Sequence, residues 1–263
     1  MAIPERPNPS FEPSPRAALD PLDEARNRLI VALDVPSASA ATELLDSLED
    51  TCRWFKVGLE LFVAAGPAVL EPLLARGHSV FLDLKFHDIP NTVAGAVRSA
   101  ASLGARMMTI HALGGPGMLK AARNALDGIR NPPELLAVTM LTSMDAAQTK
   151  AAGLDRTPAE QVEHLAQMGL AAGIRGFVCS PQEAAKLRTL TGPNGVLVIP
   201  GIRPLGAAIG DQSRIATPAD ALKQGASYLV VGRPITQSRK PAEVAATILR
   251  EMADALALGI QTY

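Results

Sequence analysis

Three scarcities bound what this chain can be. It holds two cysteines in 263 residues, Cys52 and Cys179. They stand far apart and form no metal-spaced pair, which argues against a disulfide framework or a thiolate metal site and fits two unpaired thiols in a reducing cytosol. Aromatic residues make up only 3% of the chain, too few for the stacking surfaces that hold single-stranded nucleic acid. Charge of one sign is also missing: 25 Lys and Arg face 26 Asp and Glu, for a net charge of −1. A basic excess that would grip a phosphate backbone is therefore absent. No apolar run approaches the roughly 18 residues that a membrane span needs. Nucleic acid and membrane are thus not expected as partners, and a cytoplasmic location is.

What is present reads as an ordinary globular protein, 48% hydrophobic and 19% charged. The length suits one large α/β domain, and barrels of this size are common as single domains. Residues 1–26 differ from the rest, holding six of the 21 prolines and charges of both signs. They lack the apolar centre of a signal peptide and are too acidic for a transit peptide. An extended or disordered arm is expected there, with helix beginning near Asp20 at the earliest.

From residue 29 onward one pattern recurs: a short apolar run ends in a polar residue or Gly, and a longer segment with helical spacing follows. The runs fall at 29–34, 53–58, 79–85, 106–112, 135–141, 176–180, 196–202 and 228–234. Several of the intervening segments start with Pro preceded by a capping hydroxyl, as at Thr157, Ser180 and Thr217, a helix-start signature. Near-continuous apolar strands imply a parallel sheet covered on its outer face. Eight such units predict a single (β/α)8 barrel over 27–263, the TIM-barrel architecture, with no linker and no second domain.

Barrel enzymes work at the C-terminal ends of their strands, which makes polar residues there the candidates. The stretch VFLDLKFHDIPNT (80–92) sets Asp83, Lys85 and Asp88 behind an apolar run. Residues two apart on a strand share a face, so Asp83 and Lys85 are expected to point together into the barrel, with Leu82 and Leu84 pointing out. Either the cluster is an ion-paired plug, or its field acts on a reacting group. Lys56 and Asp34, ending the two preceding strands, bring further charge to the same rim and favour the second reading. At the eighth strand, Gly232 offers close backbone approach and Arg233 a bidentate phosphate donor, where barrels often bind phosphate. The glycine-rich segment 201–214, with Arg203, Asp211 and Gln212, is expected to be a mobile lid that excludes water. His87 and His111 have no partner at metal-ligating spacing and are expected to be structural.

These residues carry a resemblance. DLKFHDIPNT (83–92) resembles the Asp-x-Lys-x-x-Asp signature of the orotidine 5′-monophosphate decarboxylases. ALD (32–34), FKVG (55–58), LTSM (141–144), PGIRP and GDQ (200–204 and 210–212) and VGRPIT (231–236) match that family in order, over roughly residues 29–251. The resemblance implies decarboxylation of orotidylate (OMP) to UMP and CO2 in pyrimidine biosynthesis, with no metal or organic cofactor. The C6 carbanion so formed has no adjacent carbonyl, and only a fixed cation in a dry site can stabilise it.

By the resemblance, Lys85 is that cation and the proton donor. Asp83 stands against the departing carboxylate and holds Lys85, while Lys56 and Asp34 contact the ribose. Thr142 and Ser143 hydrogen-bond the pyrimidine, and Pro200 and Ile89 supply apolar wall. Gly232 and Arg233 hold the phosphate, and Gln212 bridges phosphate and base with Arg203 assisting. Asp88 and Thr92 reach the neighbouring subunit's site, which implies an obligate homodimer with shared sites. A Mg²⁺-dependent keto-sugar-phosphate decarboxylase or aldolase is the alternative within the superfamily, but it calls for an acidic ligand where the second strand ends in Lys56. A non-catalytic nucleotide-binding barrel is the alternative from another class, disfavoured by the complete charge set.

Overall fold

The computed structural model describes residues 20–204 and 215–258. Eight strands are present among them: β1 (Leu29–Ala32), β2 (Trp54–Gly58), β3 (Ser79–Phe86), β4 (Met107–His111), β5 (Glu134–Val138), β6 (Gly176–Val178), β7 (Val196–Ile199) and β8 (Tyr228–Val231). They pair in parallel and in chain order, with β8 closing onto β1. The predicted (β/α)8 barrel is the observed fold.

Local chemistry explains where the helices start. Ser37 accepts a hydrogen bond from the Ala40 N–H at the head of Ala38–Leu48. Thr157 and Glu160 form a reciprocal capping box before Pro158–Ala171, and Thr217 caps Pro218–Lys223. Such caps satisfy N–H groups that the helix itself leaves unpaired. Three helices had no counterpart in the sequence reading: Leu59–Ala65, Ala146–Ala151 and Arg233–Thr236. With seven, six and four residues, they are too short for helical periodicity to show.

The arm expected over 1–26 ends sooner. Asp20 caps a helix, Pro21–Arg28, that runs directly into β1, and Ala25 is fully buried. Two of the charges counted in the arm, Glu24 and Asp23, are paired with Arg28 and Arg53 of the barrel domain. Residues 1–19 lie outside the described residues.

Two apolar layers fill the molecule. Ile30, Ala32, Phe81, Met107, Leu136, Val198 and Val230 pack inside the barrel. Their alternates, among them Val31, Phe55, Leu82 and Ile110, pack between strands and helices. Each fully buried Leu, Ile or Phe contributes about 1.5–3 kcal/mol through burial. The inward period continues past this plug: Ile30, Ala32 and Asp34; Trp54 and Lys56; Phe81 and Asp83; Met107 and Thr109. The apolar core therefore gives way, two residues on, to a polar layer at the C-terminal mouth. No helix among the described residues is long and apolar enough to cross a membrane.

Candidate active site

The mouth opens into a cavity of about 460 Å³, within the range that holds small-molecule ligands. Asp34, Lys56, Asp83 and Lys85 line one side of it, and Gly232, Arg233 and Gln237 another. Arg203 and Thr142 add further polar groups to its lining, and Pro200, Phe81, Val138, Val198 and Val230 apolar ones.

Four of the charges form an alternating chain. The Lys56 Nζ donates to Asp34 Oδ1 at 2.9 Å and stands 3.6 Å from Asp83 Oδ2. The Lys85 Nζ donates to Asp83 Oδ1 at 2.8 Å. Asp83 is the buried member, with a side chain 13% exposed, whereas that of Lys85 is 31% exposed and meets the cavity. Burial alone would raise the Asp83 carboxyl pKa. The ammonium groups of Lys56 and Lys85, with hydrogen bonds from Lys85 and Thr109, outweigh burial and hold it below the usual carboxylate value.

Gly58 makes room for this chain. A Cβ there would stand 2.9 Å from the Lys56 Nζ and 3.4 Å from Asp34 Oδ1. Any side chain at this position displaces the ammonium.

Asp83 and Lys85 meet the same cavity, and Leu82 and Leu84 pack toward the helices, as alternation predicts. The backbone there is nevertheless not a regular strand. Leu82 pairs with Met108 and Phe86 with Ile110, leaving residues 83–85 of β3 opposite Thr109 alone. Lys85 adopts φ +50°, the left-handed region that a non-glycine residue rarely enters. Such strain persists only where surrounding contacts impose it, and it concentrates at functional sites.

Several expected residues stand apart from this cavity. Asp88, Ile89 and Thr92 are exposed beyond the end of β3, and Asp88 Oδ1 accepts from the Ile89 N–H. Ser143 is exposed in the turn after β5 and does not line the cavity, unlike Thr142. Gln212, Asp211 and the rest of the expected lid from residue 205 to 214 lie outside the described residues.

His111 is structural here: its Nδ1 accepts from the Leu113 N–H, and its ring stacks on His87 at 5.4 Å. Burial, with the neighbouring His87 and Lys85, pushes its pKa down to about 4, so the ring is neutral near pH 7. Burial pushes the Cys52 thiol up to about 12, which makes it unreactive. At the opposite end of the barrel a hollow of about 400 Å³ includes Arg188. That guanidinium already donates to the carbonyls of Gly192, Gly195 and Gly225 and to Ser227 Oγ, so it clamps loops together.

Reading the sequence missed Thr109, Gly58, Met140, Leu141 and Gln237. Thr109 had a legible signal, since it lies two residues beyond inward Met107 and so on the same face. Met140 and Leu141 border the cavity but look like strand residues in the sequence.

A closed parallel barrel with clustered charge and an arginine at its C-terminal mouth is the architecture of a (β/α)8-barrel enzyme acting on an anionic ligand. Comparison with known proteins narrows the class. Residues 27–248 match the model of the orotidine 5′-phosphate decarboxylase / HUMPS family. The chain is 52% identical over 228 residues to orotidine 5′-phosphate decarboxylase of Halorhodospira halophila, covering 87% of this chain and 97% of that one. It is 51% identical over 227 residues to the Nostoc sp. protein of the same name, with coverage of 82% and 93%. The crystal structure of orotidine 5′-phosphate decarboxylase from Lactobacillus acidophilus superposes with a TM-score of 0.75 at 40% identity, covering 86% of this chain and 98% of that one. The chain belongs to the orotidine 5′-phosphate decarboxylase / HUMPS family.

Proposed function

We propose that this protein is a carboxy-lyase that converts OMP to UMP and CO2 in pyrimidine biosynthesis, using its own side chains in place of a metal or organic cofactor. The observation that carries the reading is the Asp34–Lys56–Asp83–Lys85 chain at one wall of the cavity, with contacts of 2.9, 3.6 and 2.8 Å.

In the proposed reaction the bond between C6 and the carboxylate carbon breaks and its electron pair stays on C6. The Lys85 ammonium stabilises that charge and then transfers a proton from Nζ to C6, and solvent later restores the ammonium. Asp83 stands against the departing carboxylate and holds Lys85. Lys56 and Asp34 bind the ribose, Thr142 and Ser143 the pyrimidine edge, and Arg233 and Gly232 the phosphate, with Gln212 bridging phosphate and base and Arg203 assisting. Pro200 and Ile89 supply apolar wall.

The same reading makes residues 27–263 one catalytic domain in a cytoplasmic homodimer, with neither nucleic acid nor membrane as a partner. Asp88 and Thr92 then complete the other subunit's site. Exposed Leu59, Val63, Ile89 and Leu113 support this, because they follow the neighbouring strands β2, β3 and β4 and ask for a cover.

The decisive experiment follows the absorbance of OMP with purified protein in EDTA. Rapid, chelator-resistant loss is expected. No loss from folded protein, with turnover of a keto-sugar phosphate once Mg²⁺ is added, would overturn the assignment. Mixing Lys85→Ala with Asp88→Ala protein tests the shared sites: activity should reappear as mixed dimers form, and none returns if each site is built from one chain.

A further inference from the structure

We propose that Thr109 is a positioning residue of the decarboxylation centre, its one hydroxyl tying the main chain of Lys85 to the carboxylate that holds the same lysine's ammonium. The inference rests on the activity proposed above. Thr109 is fully buried and does not line the cavity, so it acts through other groups and does not touch substrate.

Its contacts form a closed ring. The Lys85 backbone N–H donates to Thr109 Oγ1 at 2.8 Å. That oxygen donates in turn to Asp83 Oδ1 at 2.9 Å, and the same Oδ1 accepts from the Lys85 Nζ at 2.8 Å. The direction of each bond is forced. An N–H can only donate, and an ionised carboxylate can only accept, so the hydroxyl must accept from the first and donate to the second. The Lys85 stem has four rotatable carbons and would otherwise wander. Anchored at both ends through one carboxylate oxygen, its ammonium is confined to one place at the cavity wall.

The backbone also needs this hydroxyl. Between the Leu82–Met108 and Phe86–Ile110 pairs the β3–β4 ladder is interrupted. The Lys85 N–H meets the threonine side chain instead of a strand carbonyl, while Lys85 sits at φ +50°. A hydroxyl that replaces a missing ladder bond is a reason for the strained turn to persist.

The test compares Thr109→Val, of similar shape but without a hydroxyl, with Thr109→Ser, which keeps it. Each is assayed for kcat on OMP and for affinity toward UMP, which lacks the carboxylate and needs no proton. Losing a hydrogen bond to a charged group predicts that Thr109→Val lowers kcat roughly ten- to a hundredfold. UMP affinity should stay within about twofold and Thr109→Ser within about threefold of wild-type kcat on the same reasoning. Thr109→Ala, also without the hydroxyl, takes the place of valine if that variant does not fold. Wild-type kcat in a hydroxyl-free variant overturns the inference. Equal losses in Ser and Val overturn it too, as does UMP affinity falling in step with kcat, the mark of general damage. If wild-type protein does not consume OMP, the activity itself fails, a result distinct from a wild-type enzyme indifferent to residue 109.

Discussion

Replacing Lys85 with alanine separates the two meanings of the charged cluster. The change removes an ammonium whose side chain is 31% exposed, 2.8 Å from Asp83. Asp83 is not orphaned by it, because the Lys56 ammonium remains 3.6 Å away and the Thr109 hydroxyl 2.9 Å away. Alanine at φ +50° carries the same left-handed penalty that lysine already bears. The lost pair is partly screened by solvent, so the stability cost should be about 1–2 kcal/mol, between that of an exposed pair and a buried one. For a barrel of this size that lowers Tm by a few degrees.

The catalytic cost should be far larger. A unit charge about 4 Å from a carbanion is worth about 4 kcal/mol at an effective dielectric constant near 20. Each 1.36 kcal/mol is a factor of ten, so kcat should fall by at least about 10³, and loss of the proton donor deepens the fall. The assay pairs OMP decay at saturating substrate with thermal unfolding and calorimetric titration of UMP. A folded variant with kcat within tenfold of wild type would refute the role assigned to Lys85. A variant that cannot fold would return the cluster to the status of an ion-paired plug.

Three other outcomes follow from the same geometry. Gly58→Ala keeps an ordinary backbone conformation but sets a methyl group 2.9 Å from the Lys56 ammonium, which must shift; kcat/KM should fall about tenfold or more with Tm nearly unchanged, and unchanged kinetics would remove Lys56 from the machinery. Because the folded-state pKa of Asp83 is depressed, its ionisation adds stability above the unfolded value of about 4, and that contribution is lost as pH falls through the folded pKa. Denaturant unfolding should therefore show a gap between wild type and Asp83→Asn that is steady near neutral pH and closes below about pH 4; a gap that widens on acidification contradicts the assignment. Arg233→Ala should weaken UMP and OMP binding more than tenfold if its guanidinium holds the phosphate, with uridine affinity unaffected; equal loss for nucleotide and nucleoside would place the phosphate elsewhere.

Much of this molecule is local in origin. Apolar runs of strand length, each followed by a helical period and several by a hydroxyl cap and a proline, determined eight βα units, because those signals act within a few residues. Asp34, Lys56, Asp83, Lys85 and Arg233 were legible for a related reason: each stands at or near the C-terminal end of an apolar run, where barrel sites are built. The helix at Pro21–Arg28 starts where the sequence first allowed one, at Asp20, but that it packs as part of the barrel depends on a partner helix far away in the chain, Pro241–Ala257.

Other features belong to the tertiary structure alone. That Asp83 rather than Lys85 is the buried partner follows from how β2, β3 and β4 lie side by side. The left-handed turn at Lys85 comes from an interrupted ladder to β4, and no property of the residues 83–85 announces it. Thr109 acquires its place only because a strand some 24 residues further along brings one hydroxyl against both an amide and a carboxylate. Period and capping are nearest-neighbour physics, which a sequence displays openly. Pairing register and the convergence of charges depend on closing the barrel, which brings together groups that the chain keeps apart.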